Sequence, residues 1–165
     1  MPFDYEANVL AVRTALRDTN TTTSNPDLSS GLTTRVRTIV IDDPERIGVR
    51  INDLPAVYIR VQAAEEDASS LGAPGPTGVR KFKDVTYELV GIYHRDGAHT
   101  THATHLTEVY RLAENLEGTF QSRFTLSGTA LWCHPESTNF GAFDLESGDR
   151  VKGFITLLKA KYLFR

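Results

Sequence analysis

Apolar residues recur at Tyr5, Val9, Val12 and Leu16, in steps of four, three and four, which lays one apolar stripe along a helix from about Tyr5 to Arg17. Asp4 stands where an N-cap belongs, with a carboxylate that can take up a free amide of the first turn. The same period returns between about Thr104 and Ser122, where Leu106, Val109, Tyr110, Ala113, Leu116 and Phe120 share a face and Gly118 weakens the last turn. Elsewhere the period is two. RVRTIVID (35–42) is dense in β-branched residues, and PAVYIRVQ (55–62) sets Val57, Ile59 and Val61 against Tyr58, Arg60 and Gln62. In KFKDVTYELVGIYH (81–94), Val85, Tyr87 and Leu89 point one way and Val90 and Ile92 the other, as expected of a strand in the middle of its sheet. GTALWCHP (128–135) reads as a short strand. VKGFITLLKAKYLFR (151–165) reads as an emphatic one, with Leu158, Ala160, Tyr162 and Phe164 facing away from Lys159, Lys161 and Arg165.

Three segments keep neither period. TNTTTSNPDLSSGLTT (19–34) is a polar loop broken by Pro26 and Gly31. AAEEDASSLGAPGPTGVR (63–80) opens acidic and is punctuated by Gly72, Pro74, Gly75, Pro76 and Gly78, so it predicts a long loop. That loop is either a hairpin tip or an arm that becomes ordered on a partner. NFGAFDLESGDR (139–150) reads as a turn-rich connection. The order of one helix, three strands, a second helix and two strands predicts a single α+β domain over residues 1–165. Its mixed or antiparallel β-sheet would have about four to five strands packed with two helices.

Charge narrows the function classes. A net charge of −3 and a pI near 5.9 argue against DNA binding as the main activity, which calls for a basic face. No stretch approaches the ~20 apolar residues of a membrane span, and MPFDYEANVL shows no basic region followed by an apolar run, so neither membrane insertion nor secretion is expected. Cys133 is the single cysteine, which forbids an intrachain disulfide and suits assembly in a reducing cytoplasm.

Candidate chemistry concentrates in YHRDGAHTTHATH (93–105), which holds four of the five histidines. His99, His102 and His105 lie three residues apart, and each such step turns a helix by about 300°, so the set drifts by about 120° and only two could share an ion. Glu108 could add a carboxylate, and Cys133 with His134 could add ligands if that strand came near. The tight Cys/His pairs of structural zinc and the three convergent ligands of catalytic zinc are both missing. The segment therefore reads as a strand end, a connection and a helix start, with no metal site expected. G-x-S-x-G, G-x-x-x-x-G-K-[ST] and H-E-x-x-H are absent, and GAPGPTG has no helix behind it to aim at a phosphate. The carboxylates at Asp42, Asp43, Glu65 to Asp67, Glu146 and Asp149 sit in polar segments, as solvated turn residues do. No catalytic residue and no cofactor are expected: the chain reads as a building block, not an enzyme.

The layout resembles the tail terminator proteins of long non-contractile-tailed bacteriophages, also called minor tail or tail completion proteins. The similarity is spread over YEANVLAVRTALRD, LPAVYIRV (54–61), the polar excursion after it, KFKDVTYELVGIYHR, HLTEVYRLAENLEGTF and VKGFITLLKAKYLFR. The loop at 19–34 and the histidine cluster lie outside that likeness. The resemblance implies a non-enzymatic homo-oligomer, a hexameric ring of the virion that caps the tail tube, stops its polymerisation and presents a surface to the head-side connector. Such a ring is assembled in the host cytoplasm, and DNA crosses its lumen without being read. A closed ring needs two different complementary patches on each subunit. The candidates for partner contact are Glu65, Glu66, Asp67, Arg80 and Lys81 along the excursion, with Lys159, Lys161 and Arg165 on the polar side of the closing strand. The plainer reading of those three cations is a solvated face that discourages edge aggregation. Two alternatives stand beside the ring: another neck component, a head–tail adaptor or stopper, or a small metal-binding module or enzyme using His99, His102, His105 and Glu108.

Overall fold

A computed structural model describes residues 3–21, 36, 38–42, 44, 49, 54–71, 80–95, 102–144 and 150–164. Helix α1 (Tyr5–Thr21) begins at the expected cap, where the Ala7 amide donates to the Asp4 carboxylate at 2.9 Å and satisfies a first-turn N–H that no helical carbonyl can reach. Val9, Val12 and Leu16 are buried, while Tyr5, at the start of the stripe, stays 42% exposed. Helix α2 (His102–Ser122) buries Val109, Leu112, Ala113, Leu116 and Phe120. Tyr110 was expected on that face and is 45% exposed instead. Leu112 fills the stripe in its place, because it lies three residues after Val109 and four before Leu116, whereas Tyr110 is turned about 100° away from Val109.

Strands β1 (Thr38–Ile41), β2 (Ala56–Leu71), β3 (Arg80–Arg95), β4 (Trp132–Asp144) and β5 (Arg150–Phe164) form one mixed five-stranded sheet in the order β1-β2-β3-β5-β4. Strand β1 runs parallel to β2, and the other pairs are antiparallel. With the two helices described above the chain is a single α+β domain, and β3, apolar on both faces, is the central strand of the described sheet.

Each sheet face has its own core. On one, Val9, Val12 and Leu16 of α1 and Val109, Leu112, Leu116 and Phe120 of α2 cover Val57, Ile59, Val85, Tyr87, Leu89, Phe154, Leu158, Ala160 and Tyr162. On the other, Ala56, Tyr58, Val90, Ile92 and Val151 pack with Val49 and Leu54, which belong to the crossover between the parallel strands β1 and β2. The alternation read from the sequence separates Val57 and Ile59 from Tyr58, and Val85, Tyr87 and Leu89 from Val90 and Ile92, as the two cores do. Val61, expected beside Val57 and Ile59, is exposed.

Two strands run further than expected. Ala63–Leu71 continues β2 where a loop was expected to start at Ala63, and Asn139–Asp144 continues β4 where a turn-rich connection was expected. Both stretches are weak strand formers, yet each lies opposite a regular partner: Ala63 to Leu71 against Thr86 to Arg80, and Asn139 to Asp144 against Ile155 to Arg150. Ladder hydrogen bonds to a formed neighbour outweigh local preference. Gln62 and Glu136 are the extra residues of two bulges that let these strands change register. The rest of the expected 63–80 loop, and the loop expected at 19–34 beyond Thr21, lie outside the described residues.

A close approach joins the two long central strands. Gly91 of β3 faces Phe154 of β5, whose ring lies where a Cβ on Gly91 would sit, and a Cβ on the neighbouring Gly153 would run into the Gly91 carbonyl oxygen. Near the opposite end of the same pair, the buried hydroxyls of Tyr87 and Tyr162 share a hydrogen bond of 2.8 Å. Burial pushes the Tyr87 phenol up to about 12 and the Tyr162 phenol up as well, the latter helped by the facing Tyr87. Cys133 is likewise buried, with its Sγ 3.6 Å from the Arg123 carbonyl oxygen, and burial pushes its thiol up to about 12.

Gly91→Ala is expected to lower stability by about 1–3 kcal/mol through overpacking, and the added change Phe154→Leu to recover part of that loss, as read from urea unfolding midpoints. The raised acid constants set the alkaline limit. The unfolded chain ionises Cys133 and the tyrosines at their ordinary values while the folded chain holds their protons, so stability is full below those values and falls as pH rises through about 9 and 10 toward about 12. Urea titrations from pH 7 to 11 should show that fall, and a flat profile would refute it.

Candidate interaction surface

Val49 and Leu54, the described crossover residues of the second core, pack against one end of the face opposite the helices. Beyond it the sheet carries polar side chains in register: Arg60 beside Glu88, then Ala63–Thr86–Lys159–His134, then Glu65–Asp84–Lys161–Trp132. Opposite charges meet across these rows. Arg60 Nη2 donates to Glu88 Oε1 at 2.7 Å, Lys159 Nζ to Glu136 Oε1 at 2.7 Å, and Lys161 Nζ lies 3.6 Å from Asp84 Oδ2 while also standing 5.1 Å over the Phe82 ring. The hydrogen bond that Lys159 donates to Glu136, together with that carboxylate's charge, raises the Lys159 ammonium above the usual lysine range. A hollow of about 150 Å³ lies among Ala63, Glu65, Asp84, Thr86, Trp132 and Lys159. Asp84 Oδ1 is buried beside it with no hydrogen-bond partner among the described residues.

The helix side of the same hairpin differs. Lys81 Nζ donates to Glu66 Oε1 at 2.6 Å, and that bond holds the Glu66 carboxyl below the usual carboxylate range. Lys83 Nζ is ringed by aromatic faces, 5.2 Å from the Phe3 centroid, 5.1 Å from Tyr5 and 5.9 Å from Phe164. A cation in such a cage is attracted by the ring quadrupoles, and it ties the segment before α1 to the sheet.

The residues expected to meet partners therefore do not form one patch. Glu65, Lys159 and Lys161 share the outer face, and Glu66 and Lys81 pair on the helix side. Asp67 and Arg80 occupy paired positions in β2 and β3, opposite Phe82 and Leu71, with side chains outside the described set, and Arg165 lies beyond it. Asp84, Glu88, Arg60 and Glu136, which supply partners for the cations or a buried ion pair, were missed. One of them left a signal: Glu88 is a carboxylate inside the run Val85–Ile92, and a charge there demands an opposite charge across the strand.

Chemically the surface is suited to contact. Its charges are largely consumed by one another, and Cys133, buried and with a raised acid constant, is no thiolate near neutral pH. Among the described residues no three His, Cys, Asp or Glu side chains are gathered to hold a metal ion. The side chains of His94, His99, His102, His105 and Glu108 lie outside that set. Cys133 and His134, weighed as further ligands for one ion, point to opposite faces of β4, the first buried under the helices and the second exposed. No described helix is long and apolar enough to cross a membrane. No family model matches the chain, and no curated protein matches it.

The two hairpin ion pairs should respond differently to mutation. Glu88 is buried, so Arg60→Met leaves a carboxylate without its partner and is expected to cost about 1–3 kcal/mol, discounted because Arg60 itself is partly exposed. Joining it to Glu88→Met should restore much of the loss. Lys81→Ala should shift the urea midpoint little, since both members of that pair stand in water.

Proposed function

We propose that this chain is a non-enzymatic structural protein of a bacteriophage virion. It is the subunit of a hexameric ring at the head–tail junction that caps the tail tube, ends its polymerisation and offers the attachment surface for the head-side connector. The ring is built in the host cytoplasm, and DNA passes through its lumen without sequence readout.

The observation that carries this reading is a pair of unlike open strand edges on opposite sides of one sheet. Strand β1 pairs only with Ala56–Ile59, so Val61–Leu71 of β2 has no strand neighbour on that side among the described residues. At the other end β4 is an edge along Trp132–Asp144 among the described strands. A closed ring needs two different surfaces per subunit, each complementary to the other, and strand edges pair readily because their amides and carbonyls are already aligned. The β2 edge is acidic at Glu65 to Asp67, whereas β4 is broken by Pro135 and the bulge at Glu136 and regular only from Ser137 onward. That difference disfavours like-with-like pairing and favours a directional contact. The resemblance of the helix and strand segments to tail terminators supports the same reading.

Negative-stain electron microscopy of the purified protein should show closed rings, and adding the protein to polymerising tail tubes should stop their growth. A strictly monomeric species at high concentration that ignores tube ends would refute the reading. Binding to the connector in preference to tube ends would reassign the chain to a neck adaptor or stopper.

A further inference from the structure

A second surface lies between α2 and β4, on the helix side of the sheet and away from the charged outer face. It is a groove of about 500 Å³, within the ~300–1,000 Å³ of ordinary ligand sites. Its apolar wall is an aromatic pair left in solvent: Tyr110 is 45% and Phe140 47% exposed, and their rings meet edge to face at 4.8 Å. Its polar wall holds Glu114 and Glu117, three residues apart on α2, with Glu136 at the rim. No lysine or arginine lines it among the described residues.

The floor fixes one of these carboxylates. The Thr138 hydroxyl donates to Glu117 Oε1 and therefore accepts from the Thr156 hydroxyl, 2.9 Å away. Glu136 is already paired with Lys159, which leaves Glu114 and Glu117 as the acidic wall. Phe140, Thr138 and Ser137 belong to the regular part of the open β4 edge, so a strand laid against that edge would place alternate side chains over the groove.

We propose that this groove docks an extended segment of a partner protein, which pairs with the β4 edge from Ser137 onward and sets one arginine side chain against the Tyr110 and Phe140 rings, its guanidinium on Glu114 and Glu117. Charge complementarity selects a cation. The combination of aromatic faces with carboxylates three residues apart selects arginine, whose planar fork stacks on rings and donates to carboxylates together, as the compact lysine ammonium does not. Backbone pairing supplies affinity and the groove supplies the choice of side chain. The groove is complete within one chain. Its β4 edge is also one of the two edges offered to ring closure, so the docked segment and a neighbouring subunit compete for Ser137 onward. The inference concerns the chain whose β4 edge is not yet taken up in a ring.

The test uses the ¹⁵N-labelled full chain and the capped peptide Thr-Val-Thr-Arg-Thr-Val-Thr, with a matched peptide carrying citrulline in place of arginine. The arginine peptide should shift the amide signals of Ser137 to Gly141, and citrulline should weaken binding at least about tenfold by removing the charge. Glu114→Gln with Glu117→Gln should weaken the arginine peptide to a similar degree, while Glu6→Gln, which removes an exposed carboxylate from the first turn of α1, should leave binding unchanged. Equal affinity for the two peptides, or no shift in β4 at millimolar peptide, overturns the proposal. So does a set of β4 shifts produced by raising protein concentration alone and unaffected by peptide, which would make a second copy of the chain the occupant. The peptide pair decides the matter on the unmodified chain even if the double variant folds poorly.

Discussion

The pairing of β3 with β5 is the contact on which the rest of the sheet depends. It runs from Lys81 opposite Phe164 to Arg95 opposite Val151, and it contains the close approach of Phe154 to Gly91. Strand β2 reaches the sheet only through β3, and β4 only through β5. Both helices lie on the face that these two strands dominate, over Val85, Tyr87, Leu89, Leu158 and Tyr162. Residues that seem unremarkable alone, such as two glycines, are fixed by the distance between two backbones.

The opposite face changes character along its strands, from apolar packing at one end to paired charges at the other. Where Tyr58, Val90, Ile92 and Val151 are apolar, the β1–β2 crossover supplies Val49 and Leu54 as a cover. Where the strands pass into Glu65, Asp84, Lys159 and Lys161, cross-strand charges take over. Exposed pairs of this kind contribute little to stability, so their value lies in keeping an uncovered face soluble and in fixing which charges a partner would meet. Arg60 and Glu88 stand at the boundary between the two regimes, and there burial makes the pairing matter.

Much of this architecture could be read from residue patterns. Alternation assigned Val57 and Ile59, Val85, Tyr87 and Leu89, and Val90 and Ile92 to their faces because each strand there is buried on a fixed side. It failed for Ala63–Leu71 and Asn139–Asp144, whose conformation is imposed by the facing strand of the same hairpin beyond a bulge, a cause that the local residue pattern does not carry. The same cause scattered the expected contact residues. Glu65 and Glu66 are neighbours in the chain, but strand geometry sends them to opposite sides of the sheet. The α2–β4 groove was hidden for a further reason. Tyr110 fits an apolar helical stripe on spacing alone, and only the presence of Leu112 shows that it points outward.

The position of β5 between β3 and β4 has a consequence for synthesis. During translation β1, β2, β3, α1, α2 and β4 all emerge before residues 150–164, yet β4 has no described neighbour in the sheet except β5. Until β5 is added, the β2–β3 hairpin and β4 cannot belong to one sheet, and Val85, Tyr87 and Leu89 lack the strand beside them. Release of β5 from the ribosome is thus the event that converts two partial structures into one domain. Contacts so distant in sequence form slowly. A nascent chain stalled before Arg150 would present the unpaired side of β3 to whatever chaperone or neighbouring chain is at hand.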